Sequence, residues 1–149
     1  MINSKSILLI LLVNVGVVSC KKDKLKDEKS ILIGNWEWVN TQHDFGWCEG
    51  ESWEETLTPE SEDENYSMFF YKKGVVEFYQ NGNLLDKSRV VFDHFEINEL
   101  GNFSFVIDLN NKEENRMSGY GNETSVNFGG FPFVGVAGCE DYDNYFSKG

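Results

Sequence analysis

The sequence predicts an all-β domain of about eight or nine short antiparallel strands behind an export signal. Three observations lead there. Aromatic residues make up 15% of the chain, Phe above all, and with 14 glycines this favours strands and turns over helices. Apolar residues alternate with a period of two along several segments, most cleanly at Phe103, Phe105, Ile107 and Leu109. Tight turns join the segments. Asn81-Gly82 is the strongest hairpin signal, because both residues tolerate the positive φ of a type I′ turn. Strands of this number and spacing suggest a sandwich or a closed barrel.

The N-terminal element is not part of that domain. A short n-region with Lys5 and no acid precedes an apolar stretch from Ile7 to Val18, interrupted only by Asn14 and Gly16. As a helix it would span about 18 Å, short of the ~30 Å bilayer core, which is the length of a signal-peptide h-region. It ends in Val17-Val18-Ser19-Cys20 and turns polar at Lys21-Lys22-Asp23-Lys24. An aliphatic residue three before a cysteine, with a small one directly before it, resembles the lipobox cut by lipoprotein signal peptidase. The resemblance implies removal of residues 1–19 and attachment of diacylglycerol and a further acyl chain such as palmitate at Cys20. The plainer alternative is an ordinary secretory signal with an incidental cysteine. Two or three acyl chains hold a protein stably on a membrane where one binds only marginally. Residues 20–30 then read as the lipidated cysteine and a flexible tether, since Lys21 to Ser30 is charged and nearly free of apolar side chains. Residues 31–149 form the domain, on an outer membrane, facing either the periplasm or the outside.

Removing residues 1–19 leaves 130, enough for one domain. It also removes Lys5 and no acid, so the net charge of −12 becomes −13. Such acidity argues against nucleic acid, whose affinity depends on Lys and Arg neutralising phosphates. It suits solubility, cation binding or a basic protein partner. Cys48 and Cys139 remain after Cys20 is committed to lipid. In an oxidising compartment a Cys48–Cys139 disulfide is the default reading; a reactive thiol or a metal site lacks a histidine at ligand spacing.

Along the domain, Asn35 to Asn40 alternates with Trp36 and Trp38 on one face and reads as a first strand. Thr41 to Asn65 shows no such period. From Glu49 to Glu64 it carries eight acids and no basic residue, which reads as a solvated loop. Tyr66 to Tyr71 and Val75 to Gln80 flank the turn Lys72-Lys73-Gly74. Leu84 to Phe92 follows as a fourth strand, Phe95 to Ile97 as a fifth, and Phe103 to Leu109 as the next. Asn110 to Asn115 reads as a polar turn, Arg116 to Tyr120 and Thr124 to Phe128 as a hairpin, and Tyr142 to Phe146 as the last strand. No amphipathic helix is evident.

These residues resemble a known family. Gly34-Asn35-Trp36 at the first strand is similar to the Gly-x-Trp signature of lipocalins. With Thr58-Pro59-Glu60-Ser61 and the hairpin from Lys73 to Gly82, the layout resembles the lipocalin-like domain of Gram-negative bacterial lipoproteins, from Ile31 to the C-terminus and most clearly from Gly34 to Leu85. The resemblance implies a small antiparallel lipocalin-like β-barrel that binds ligands without catalysis. The chain departs from it in lacking the Thr-Asp-Tyr motif of larger lipocalins and in being short, so Phe and Trp side chains can fill the interior instead of a ligand.

Trp36, Trp38, Phe70, Phe78, Phe103 and Phe105 are the candidates to line a cavity, and plain core is the simpler role for aromatics on the apolar face of a strand. The uncharged, glycine-rich run from Gly129 to Gly138 is either a bulged edge strand or an apolar loop at the barrel mouth, with Phe131 and Phe133 as candidate contacts. The acids of 49–64 and 140–143 lack EF-hand spacing, so no metal is expected. His43 and His94 lie apart, with no Gly-x-Ser-x-Gly, His-Glu-x-x-His or phosphate loop, so no catalytic residue or cofactor is expected. The expected function is a monomeric, membrane-anchored lipoprotein holding a small apolar ligand inside or capturing something at its loops. The alternative is an acidic interaction module, an inhibitor or immunity-type lipoprotein, that binds a basic protein.

Overall fold

The computed structural model describes residues 23–45, 53–110, 112–130 and 140–149. Nine strands are present among them: β1 (Gly34–Phe45), β2 (Trp53–Leu57), β3 (Tyr66–Tyr71), β4 (Val75–Gln80), β5 (Asn83–Ile97), β6 (Phe103–Leu109), β7 (Lys112–Gly121), β8 (Ser125–Gly130) and β9 (Glu140–Lys148). From β3 to β9 each strand pairs antiparallel with the next, and β1 pairs with both β3 and β9. Eight strands therefore close into a barrel, and β2 is an extra strand on the far half of β1. Of the two architectures left open by the strand count, the chain adopts the barrel.

Tight turns set the register. Asn81 and Gly82 take φ of 50° and 76°, as a two-residue hairpin requires, and link β4 to β5. The Asn122 carboxamide accepts the amides of Thr124 at 2.9 Å and Ser125 at 3.0 Å and so turns β7 into β8. Alternation then sends Phe103, Phe105, Ile107 and Leu109 inward, all of them buried. Met68 and Phe70 of β3, Met117 of β7, Val126 and Phe128 of β8 and Phe146 of β9 complete one core with Trp36 and Trp38.

Four expectations are corrected. The stretch from Thr41 to Asn65 is not one irregular loop: β1 runs on to Phe45, β2 follows, and a one-turn helix α1 (Pro59–Glu62) comes next. That helix is closed by a capping box in which Thr58 and Ser61 exchange side-chain and backbone hydrogen bonds. The predicted fourth and fifth strands are one strand, β5, which bulges at Asp93 between Phe92 and His94. The bulge shifts the alternation by one residue and mimics a break in sequence. Asn110 to Asn115 is likewise mostly strand, since β7 begins at Lys112.

The fourth correction concerns the tether. From Asp23 onward it is docked on the barrel. The Asp23 amide donates to the Val90 carbonyl at 2.9 Å and the Leu25 amide to the Lys72 carbonyl at 3.0 Å. Asp27–Leu32 then forms a 3-10 helix, and Leu25 and Leu32 are fully buried in the core. Residues 23–33 thus form a strap across one end of the barrel. Burying two leucines gains roughly 3–6 kcal/mol as transfer energy, an upper bound that offsets the cost of ordering a charged segment.

Candidate functional site

The six aromatics singled out in the sequence are all buried, Trp38 being the most accessible at 7%. The Phe70 and Phe128 rings are stacked with centroids 6.2 Å apart. β3 and β8 are not neighbours in the sheet, so this contact crosses the lumen. Phe128 in turn meets Phe105 at 5.6 Å and Phe146 at 5.5 Å, both edge-on. At the strap end the Trp36 indole donates to the Leu32 carbonyl at 2.9 Å. These side chains pack one another and serve as core. Further along, a polar chain stitches β1 to β9 and β8. The Trp38 indole donates to the Thr41 hydroxyl, Thr41 donates to the Asn144 carboxamide oxygen at 2.8 Å, and the Asn144 amide donates to the Phe128 carbonyl.

On the outer wall of β3–β5 lies a charged cluster that the sequence did not reveal. Glu77, only 7% exposed, accepts from the Tyr71 hydroxyl, the Tyr79 hydroxyl and the Lys87 ammonium, each at 2.6 Å. Lys87 foremost, then the two phenols, holds its carboxyl down at about 2. The Tyr79 phenol is pushed up to about 12, chiefly by its bond to that carboxylate. A carboxylate saturated with three donors is a structural pin across three strands and a poor proton acceptor.

The outer wall over β5–β9 differs. Strand register puts Asn40, Tyr145, Asn127, Tyr120, Ser104 and Glu96 in one row across six strands. Asn127 is 3% exposed; its amide donates to the Tyr120 hydroxyl at 3.0 Å, while its oxygen has no partner. The Asn40 carboxamide oxygen is buried and unpartnered too. Each such acceptor costs about 1–3 kcal/mol, and the two flank Tyr145 in the row. Burial, with Tyr120 and Asp143 nearby, pushes the Tyr145 phenol up. Two open concavities of about 350 and 320 Å³ share Tyr120 and Asn127. Gly119 and Gly129 thin the wall there, and a Cβ on Gly119 would come within 2.6 Å of the Phe105 ring. Tyr120, 56% exposed, offers an aromatic face to solvent beside these polar groups.

His94 sits on the outer wall of β5 with Nε2 3.0 Å from the Glu96 carboxylate, and β5 and β1, which carries His43, are not adjacent. The structure does not bring the histidines together by strand pairing. Among the described residues no group of three His, Cys, Asp or Glu side chains could hold a metal, and no helix is long and apolar enough to cross a membrane. Cys20, Cys48, Cys139, Phe131 and Phe133 lie outside the described residues. No protein-family model matches the chain, and no curated protein matches it.

Proposed function

We propose that the chain is an outer-membrane lipoprotein, anchored through acylated Cys20, whose lipocalin-like barrel is a non-enzymatic binding domain working at its outer wall. The observation that carries this is the Tyr120 ring, 56% exposed, beside two concavities of the outer wall that both include Tyr120 and Asn127. Such a surface suits a target with a flat apolar face that stacks on the ring. The packing of Phe70, Phe105, Phe128 and Phe146 across the lumen weighs against a ligand enclosed at that level. Amide NMR spectra of the labelled protein, titrated with neutral oligosaccharides and with peptides, test the assignment. Shifts centred on Tyr120, Asn127 and Tyr145 are expected; shifts confined to Trp36, Phe70 and Phe105 would place the ligand in the lumen and overturn it. The anchor is tested by labelled palmitate, which the full chain should incorporate and Cys20→Ala should not.

A second reading, an acidic interaction module for a basic protein, is favoured by the exposed Glu55, Glu60, Glu62 and Asp63 along β2 and α1. Association would then be fast and salt-sensitive, and reversing Glu55, Glu60 and Glu62 would slow it. Both readings include a Cys48–Cys139 disulfide. The β1–β9 register sets Phe45 opposite Glu140, so the cysteines stand three and one positions from a paired couple. The unreduced protein should be two hydrogens lighter than the reduced one by intact mass, and an unchanged mass would exclude the bridge.

A further inference from the structure

Five lysines gather where the chain enters the barrel, and we propose that this end docks on an anionic lipid surface. The inference rests on the lipoprotein reading above. Lys24 and Lys26 of the strap and Lys72 and Lys73 of the β3–β4 turn are exposed. They are held together by backbone contacts: the Leu25 amide bonds the Lys72 carbonyl, and Gly74 leaves room for the Asp23 carbonyl, which a Cβ would meet at 1.7 Å. Lys29 lies over the Phe92 ring at 4.3 Å and Lys73 over the Tyr71 ring at 5.1 Å. The strap carries three acids of its own, and the exposed Asp93 follows Phe92 in β5. The Asp23 carboxylate is occupied by the Phe92 amide, Asp27 stands 3.9 Å from Lys26, and Glu28 is exposed. Strap and turn together therefore carry five positive charges against three negative ones, on a chain whose net charge is −12.

Cys20 precedes Asp23 by three residues, a reach of at most about 11 Å. An acyl anchor there would bring the lysines to within about a Debye length of the headgroups, where each Lys strengthens attachment to an anionic leaflet by about fivefold. Strand β1 carries the chain roughly 36 Å away from Gly34 to Phe45. The acids of β2 and α1 lie along that outer half, so repulsion from the same lipids would favour one orientation, strap down and acids up.

The test uses the unlipidated chain from Lys21 to Gly149, which keeps every contact described. It is co-sedimented with vesicles of phosphatidylcholine alone, or with roughly one-third phosphatidylglycerol, from about 0.01 M to about 0.15 M salt. Binding only to the anionic vesicles and weakening with salt is expected. Lys72→Gln with Lys73→Gln should lower it about 25-fold, and Lys24→Gln with Lys26→Gln similarly. The same charge change at the exposed Thr56 and Asn83, both to Glu, should alter it less than about twofold. No binding, equal binding to neutral vesicles, or indifference to both lysine pairs would overturn the docking surface. Palmitate labelling of Cys20 would be untouched by that result, so the two failures are separable.

Discussion

Asp23 supplies the hydrogen-bond acceptor that Phe92 would otherwise have found in β4. Beyond Arg89, β5 leaves β4, and the edge this exposes is closed by the strap: the Phe92 amide donates to the Asp23 carboxylate at 2.9 Å and the Val90 carbonyl accepts from the Asp23 amide. The Asn110 carboxamide does the same for the Arg89 amide from the β6–β7 side. Asp23→Ala removes the acceptor and leaves a part-buried amide unpaired, so stability should fall by about 1–3 kcal/mol in urea titrations with an unchanged slope. A loss below about 0.5 kcal/mol would mean that water serves the Phe92 amide equally well.

Gly74 is the strap's seat. Its φ of 76° already favours glycine, and any Cβ would strike the Asp23 carbonyl. Gly74→Ala should lift the strap, expose Leu25, and lower stability by about 2–5 kcal/mol, comparable to truncating a buried leucine. Limited trypsin digestion should cut at Lys24 or Lys26 far faster in the variant. Equal cutting would show that the strap does not depend on this seat.

The Glu77 cluster gives the stability curve two limbs. A carboxyl held down at about 2 when folded stabilises the fold above its ordinary range, and that contribution fades as pH falls towards about 2. A Tyr79 phenol raised to about 12 works the other way: its contribution is complete below the ordinary phenol range and is lost as pH rises through about 12. Glu77→Gln should flatten both limbs in melting temperatures measured across pH, and an unaltered acid limb would assign acid sensitivity to other carboxyls.

Asn144 joins three strands from inside the wall, accepting from Thr41 and donating to the Phe128 carbonyl. Asn144→Ala takes the acceptor from the Thr41 hydroxyl proton and the side-chain donor from the Phe128 carbonyl, and should cost about 2–4 kcal/mol. Thr41→Val also removes the acceptor of the Trp38 indole, so it should cost something in either background but less beside Asn144→Ala than alone, where it breaks the bond to Asn144 as well. Simple additivity of the two substitutions would show that they are not coupled.

What could be read from the sequence were the strands with one dry face. Phe103 to Leu109 and the Asn81-Gly82 hairpin announce themselves because burial enforces a two-residue period and the turn demands positive φ. β2 escaped because, beyond the barrel, its exposed Glu55 and Thr56 have no core to face. The helix α1 was legible in principle: Thr58, Pro59 and Ser61 are a cap, a first-turn proline and a reciprocal partner. The strap was harder. Its docking relies on backbone amides and two leucines seven residues apart, and the lysines around Leu25 gave the appearance of a solvated segment. The outer-wall row is a product of register, invisible until the strands are paired.

The closure of the barrel has a kinetic corollary. Trp36 is opposite Lys148 in the β1–β9 pairing, so the ring is completed by residues from nearly the two extremes of the domain. The hairpins from β3 to β8 can zip locally, but closing so long a loop comes late and slowly. Until the final strand arrives, β1 and β8 each keep an open edge. A chain that emerges N-terminus first would therefore stay an unfinished sheet, with two edges open to pairing, until β9 emerged.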